Sequence, residues 1–266
     1  MTARPIHALL VAAAALAVSV ASHADTGPCG KNIGGALPDL VVNAAKLAQY
    51  LSVGEEKSAP ASCAVQEGFV GGPGWHTLMR FNTSTANVGA GGLVIGNPAS
   101  CPGLFVQSAC HGHMHFEDYA SYRLWTPEGY DTWVAVRDLS RPSGSGSNAA
   151  ALLQARKNKS LLTGRKMGFC MIDTDIYDLG ANPIPVYTSC LTSQGISVGW
   201  ADSYGAFLDG QYVEVDTLKS GDYVLEVHVN PELLVAESNY TNNSSAIRLR
   251  FTARRGSAGP SIQIIP

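Results

Sequence analysis

Apolar and polar positions alternate in short runs along this chain, and over most of its length that alternation predicts strands rather than helices. In GDYVLEVHVNP, Tyr223, Leu225, Val227 and Val229 fall on one face of a strand, while Val224, Glu226 and His228 fall on the other. The first face is expected in the core, and His228, on the mixed face, reads as a solvent-exposed or locally bonded strand residue. Residues 78–82, 119–125, 133–136 and 211–216 carry the same β-branched and aromatic enrichment with partial alternation, so they join 223–230 as expected strands. Scattered among these runs, 28 glycines and 14 prolines act as punctuation. The implied fold is mainly β: a single domain built on a β-sandwich with long loops and few short helices. No repeat with a period of 20 to 50 residues is visible, which argues against solenoids and propellers. Between residues 141 and 159 the pattern breaks: PSGSGSN has linker composition and AAALLQARKNK is rich in helix formers, so the stretch reads as a flexible or helical surface excursion.

Composition narrows the setting. Arg4, the apolar run at 8–20 and the small residues around Ser22 and Ala24 have the form of a signal peptide over residues 1–24, leaving 25–266 as the folded domain and placing the protein in a secreted or periplasmic compartment. No later stretch is apolar for long enough to span a membrane. All six cysteines, Cys29, Cys63, Cys101, Cys110, Cys170 and Cys190, follow that segment. An even count in an exported chain reads as disulfides, and the absence of any CxxC pair weighs against zinc-thiolate and thioredoxin-like chemistry. A formal charge of −3 with 15% charged residues offers no basic field for nucleic acid.

Histidine is the residue type out of proportion to this background. Three of the five histidines beyond the first segment sit within HGHMH, as His111, His113 and His115. In a strand, alternate side chains share a face about 7 Å apart, so three imidazoles at this spacing can lean onto one ion. Neutral imidazole is the commonest protein ligand for late first-row metals, which puts metal binding ahead of an incidental polar face. Imidazole alone does not choose between copper and zinc. A zinc hydrolase ranks last, because no HExxH or similar general-base pairing lies near the cluster.

The segment SACHGHMHFEDYASYRLW resembles the copper-binding stretch of the lysyl oxidases. The resemblance continues through GRKMGFCMIDT, GISVGWADSYGAFLDGQYVEV and GDYVLEVHVNPELLVAESNYTNNSSAIRLRF, and LPDLVVNA resembles the family's opening, all in family order. It implies copper on His111, His113 and His115, and a lysine tyrosylquinone cofactor formed from Lys166 and Tyr204. The implied activity is oxidation of primary amines, as peptidyl lysine or small amines, by O2 to aldehyde, ammonia and hydrogen peroxide. Asp202 matches the position expected of the proton-abstracting carboxylate, and a turn cap is its bland alternative. A non-enzymatic exported copper-binding β-sandwich is the competing function.

The resemblance also implies bridges Cys63–Cys110 and Cys170–Cys190, leaving Cys29 and Cys101 to each other. Phe69 with Gly210, and Ile176 with Trp200, stand where two further family bridges are absent. Arg165 replaces a family histidine beside the cofactor lysine. AESNYTNN resembles a calcium loop, with Glu237, Asn239, Asn242 and Asn243 joined by Asp39 and the Leu40 carbonyl. Such an oxygen set suits calcium, and an Asx-rich turn is the plain alternative. Sequons at Asn82 and Asn242 matter only in a glycosylating host.

Overall fold

A computed structural model describes residues 35–140, 160–166 and 168–266. The segment 1–24, Cys29 and the excursion at 141–159 lie outside them. In chain order the elements begin β1 (Leu40–Val42), α1 (Ala44–Gln49), β2 (Ser52–Ser58), α2 (Cys63–Gln66), β3 (Gly74–Arg80), β4 (Thr83–Asn87), β5 (Leu93–Gly96), β6 (Phe105–Gln107), β7 (Met114–Phe116), β8 (Ala120–Trp125) and α3 (Pro127–Ser140). They continue with β9 (Leu162–Thr163), β10 (Asp175–Ile176), β11 (Gln194–Ile196), β12 (Trp200–Tyr204), β13 (Tyr212–Glu214), β14 (Gly221–Val229), β15 (Ser244–Thr252) and β16 (Ser261–Ile264).

The two largest sheets are five-stranded, in the order β16-β15-β14-β8-β9, and four-stranded, in the order β1-β4-β12-β10. Leu40 and Val42 from the smaller sheet share one core with Leu225, Val227, Val229 and Leu249 from the larger. A three-stranded sheet β13-β3-β2 and the pairs β11-β5 and β6-β7 complete the mainly β architecture. Among the described residues no helix is long and apolar enough to cross a membrane.

β14 is hydrogen-bonded on both edges, to β15 and β8, and both of its faces are buried. The polar side of its alternation is therefore not a solvent face. α3 covers it, which corrects the expected strand at 133–136. Thr126 starts this helix, its Oγ1 accepting the Gly129 N–H at 3.1 Å, and Pro127 follows in the first turn, where its missing N–H costs nothing. Trp133 stacks on Trp125 with ring centroids 5.6 Å apart. The fully buried Glu226 accepts from Trp125 Nε1 at 3.0 Å and Trp133 Nε1 at 2.9 Å, with Arg137 Nη1 at 3.4 Å. His228 is buried here too, its Nδ1 facing Arg123 Nη2 at 3.3 Å, so of the two readings of this residue the locally bonded one applies. Tertiary burial of the two indoles overrides the local β propensity of Trp-Val-Ala-Val.

The bridges Cys63–Cys110 and Cys170–Cys190 are formed, with Cα separations of 5.5 and 5.4 Å. Cys101 is disulfide-bonded as well. The positions of both absent family bridges remain neighbours: Ile176 pairs with Trp200 in the β10–β12 register, and a Cβ built on Gly210 comes 3.1 Å from the Phe69 ring.

Candidate active site

The histidine segment is not one strand. Only His115 lies in β7; His111 and His113 precede it in a turn in which Gly112 adopts φ +69°. A continuous strand would spread the three imidazoles along one edge, whereas the turn folds His111 back. The ring centroids lie 4.9 to 5.7 Å apart, and the Nε2 atoms of His113 and His115 are 3.1 Å apart.

Two residues of the α2 region hold this turn. Cys63 is bonded to Cys110, and Glu67 Oε1 accepts both the Cys110 N–H at 2.9 Å and the Ser108 hydroxyl. Ser108 Oγ in turn accepts the His111 N–H at 2.9 Å. Burial, then the nearby Lys166 ammonium, holds His115 down at about 4; burial and His111 lower His113. Both imidazoles are thus neutral near pH 7, the form that a metal ligand requires.

A single bridge carries the lysine segment to the same place. Phe169 exchanges backbone hydrogen bonds with Phe116, at 2.8 and 3.0 Å, one residue beyond His115. Lys166 is 4% exposed. Its Nζ lies 5.2 Å from the centre of the Phe69 ring, 5.3 Å from Phe169 and 5.7 Å from Tyr204. Burial pulls this amine below its ordinary range, with Glu67, Asp209, Asp202 and Glu117 opposing. The lysine stem rests on Gly210, where a Cβ would come 2.8 Å from Lys166 Cδ.

Tyr204 reaches in from β12. Its hydroxyl donates to the Cys170 carbonyl at 2.6 Å, and Phe169 meets its ring edge-on at 5.1 Å. Burial and the Asp202 carboxylate hold the phenol well above its usual range, so it stays protonated at neutral pH. Asp202 lies two residues earlier on the same side of β12 and is 1% exposed. Neither of its oxygens has a well-formed hydrogen bond, the Ile172 backbone giving only partial compensation, and burial raises its pKa strongly.

A cavity of about 240 Å³ opens beside these groups, lined by Glu67, Phe69, His115, Glu117 and Arg165 among others. Lys166, Tyr204 and Asp202 lie behind its wall and do not line it. Glu117 does, half-buried over Gly168, where any Cβ would come 2.3 Å from Glu117 Oε1. Burial raises the Glu117 pKa, with Asp118 and Glu67 adding to the effect.

Known proteins resemble this chain over the segments that build the site. The sequence model described as "Lysyl oxidase" matches residues 149–258. Human "Protein-lysine 6-oxidase" is 28% identical over 231 residues, covering 84% of this chain and 48% of that protein. These matches support a place for the chain in the lysyl oxidase family. Human "Lysyl oxidase homolog 1" is 29% identical over 181 residues, 68% of this chain and 26% of its own length, and the pig "Protein-lysine 6-oxidase" is 27% identical over 231 residues. The chain thus spans about half, or a quarter, of the two human relatives.

The structure brings His111, His113, His115, Lys166 and Tyr204 into one neighbourhood, with Asp202 behind the tyrosine in the core. Arg165 stays at the surface, with Nη2 3.8 Å from Glu214 Oε2. Glu67 and Glu117 were not among the residues expected at the site. Glu117 stands two residues after His115, just past the end of β7, and that HxHxE spacing is the signal that could have found it. Glu67 carries no comparable signal.

The proposed calcium loop also closes on its partners. Glu237 is 4% exposed; its Oε2 accepts the Leu40 N–H at 2.7 Å, and its Oε1 accepts Asn230 and Asn243 Nδ2, each at 2.6 Å. Asn242 Nδ2 donates to Asp39 Oδ1 at 2.8 Å. Asn239 Oδ1 instead accepts from Thr241 within its own turn. The Oδ1 atoms of Asn242 and Asn243 are buried without a hydrogen-bond donor, and burial raises Glu237 to about 7.

Proposed function

We propose that this chain is an exported copper-dependent oxidase of primary amines, acting through a lysine tyrosylquinone made from Lys166 and Tyr204. The observation that carries the reading is the burial of Lys166 against the Tyr204 ring, beside the cluster of three imidazoles. A buried lysine without a close anion is costly, and cofactor formation gives it a reason to be there. The donor set fits copper: three nitrogen ligands, with two of the imidazoles held uncharged by burial. When bound, copper and the quinone supply the electron sink for amine oxidation, with O2 as final acceptor.

The remaining work falls to the chain's own groups. Phe69, Phe169 and Gly210 seat the lysine stem and the Cys170 carbonyl fixes the phenol, so the amine stands 5.7 Å from the centre of the ring to which it would add once O2 had oxidised the phenol. Glu67 and the Cys63–Cys110 bridge set the imidazole turn. Glu117, facing the cavity beside His115, is placed to receive the α-proton of a bound amine, with the enclosed Asp202, two residues from Tyr204, as the alternative base. Asp202 then acts on the electrostatics of Tyr204. The cavity suits a small primary amine or the tip of a peptidyl lysine.

Residues 1–24 are proposed as the export signal of a folded domain at 25–266, and the disulfides suit an oxidising compartment. Asp39, Glu237, Asn242 and Asn243 are proposed to hold calcium, with Asn239 and the Leu40 carbonyl at the edge of the set. The two orphan amide oxygens are the observation that supports it. The test of the activity is peroxide release from the copper-loaded protein with a primary amine, together with a coloured adduct on treatment with phenylhydrazine. A copper-bound protein that yields neither refutes the enzyme and leaves a copper-binding sandwich.

A further inference from the structure

Away from the imidazole cluster, three side chains converge where β3, β13 and the loop before β3 meet. His76, from β3, is 8% exposed, and its Nδ1 lies 3.0 Å from Asp216 Oδ2 and 3.7 Å from Glu214 Oε1. Each of the three is held from behind by the backbone. His76 Nε2 is bonded to the Gly72 carbonyl at 2.8 Å, Glu214 Oε2 accepts the Gly71 N–H at 2.8 Å, and Asp216 Oδ1 accepts the Thr77 N–H at 2.5 Å. Every side chain therefore spends one polar atom on its anchor and turns the other toward a common point.

That division of labour is how metal-ligating side chains are oriented: an imidazole N–H given to a carbonyl fixes which nitrogen is free, and carboxylates are steadied through their second oxygen. Two ligands about 2.0–2.2 Å from a tetrahedral ion stand roughly 3.3–3.6 Å apart, and the two separations from His76 Nδ1, 3.0 and 3.7 Å, fall on either side of that range. All three ligand atoms lie within 4.8 Å of one another. Glu214 and Asp216 are partly open to solvent, which leaves room for water in a fourth position.

We propose that His76, Glu214 and Asp216 form a second metal site, for a divalent ion of the zinc class, separate from the HGHMH cluster and independent of the amine-oxidase reading. Its role is structural. An ion here ties the Gly71–Gly72 backbone to β3 and β13, and the same loop carries Phe69, which walls the Lys166 pocket. The competing occupant is a proton: burial lowers the His76 pKa, but the Gly72 bond and the two carboxylates raise it overall, so a doubly protonated imidazolium also satisfies the geometry.

The full chain, with copper already on the imidazole cluster, is dialysed against Co2+ and then challenged with Zn2+. One cobalt per chain with the intense visible bands of four-coordination, displaced by zinc, is the expected result. Asp216→Asn keeps an oxygen for the Thr77 N–H, so it separates a lost ligand from a lost fold; it should weaken cobalt binding at least tenfold while the circular dichroism is unchanged. His76→Ala should abolish binding, and Zn2+ should raise the thermal midpoint of the parent protein but not of this variant. Absence of cobalt beyond the copper cluster, or cobalt retained with unaltered bands in both variants, overturns the proposal and leaves His76 as an imidazolium ion pair.

Discussion

Two buried charged groups on opposite sides of β8 and β14 have opposite surroundings. Glu226, fully buried under α3, is met by two indole N–H groups and the Arg137 guanidinium. Lys166, 4% exposed, has aromatic faces around its ammonium and no ion pair among the described residues, and Asp202 lies nearby with no well-formed hydrogen bond to either oxygen. Folding alone selects for the first arrangement, because an unpaired buried charge costs several kcal/mol. The second is tolerated only where something other than stability is gained, and strained or unsatisfied groups gather at functional sites for that reason. The contrast assigns structure to one side of the domain and chemistry to the other.

Substitutions on the two sides should therefore fail differently. The largest effect is expected at the pair itself: Lys166→Ala or Tyr204→Phe should lower amine oxidation by more than about a thousand-fold, measured as peroxide release, while the fold and copper content persist. Glu226→Ala should do the reverse, costing about 3–5 kcal/mol in urea unfolding because Arg137 and two indole N–H groups lose their acceptor, with turnover per folded molecule retained. If Glu226→Ala spares stability and removes activity, the division between the two sides is wrong. Glu117→Gln should reduce kcat/KM roughly a hundredfold with copper still bound, the loss expected of a missing general base. Gly210→Ala places a Cβ against the lysine stem at φ +76°; a cost of about 1–3 kcal/mol and a reduced yield of linked protein are expected, read by denaturation and by mass.

The smallest effect concerns the third region. Glu237 has its folded pKa raised from 4.5 to about 7, so its contribution to stability is complete below about pH 4.5 and is lost as the pH rises through about 7. A bound divalent cation compensates the ionised carboxylate. Calcium should therefore raise the thermal midpoint by roughly 2–6 °C at pH 8 and hardly at all at pH 5. An equal response at both pH values would separate calcium from Glu237.

Much of this was legible in the chain, and the gaps have physical causes. The HGHMH spacing announced an imidazole cluster but suggested one strand; Gly112, at φ +69°, instead makes the turn that gathers the rings. Lys166 and Tyr204 carry no local signal of chemistry, since a lysine beside Arg165 reads as solvated; only the order of matching segments marked them. Both bridges implied by that order are formed. The helix at Pro127–Ser140 was hidden because Trp133 to Val136 have strand propensity, although Thr126-Pro127-Glu128 has the form of a helix start. Glu67 was invisible because its partners, Ser108 and Cys110, are more than 40 residues away.

The most direct test is a peptide map by tandem mass spectrometry of the protein after copper loading in air. A single linked species is predicted, joining the peptide that contains Lys166 to the one that contains Tyr204 and lost in Lys166→Ala. Amine-oxidising protein in which those two peptides are recovered separately and unmodified would contradict the account.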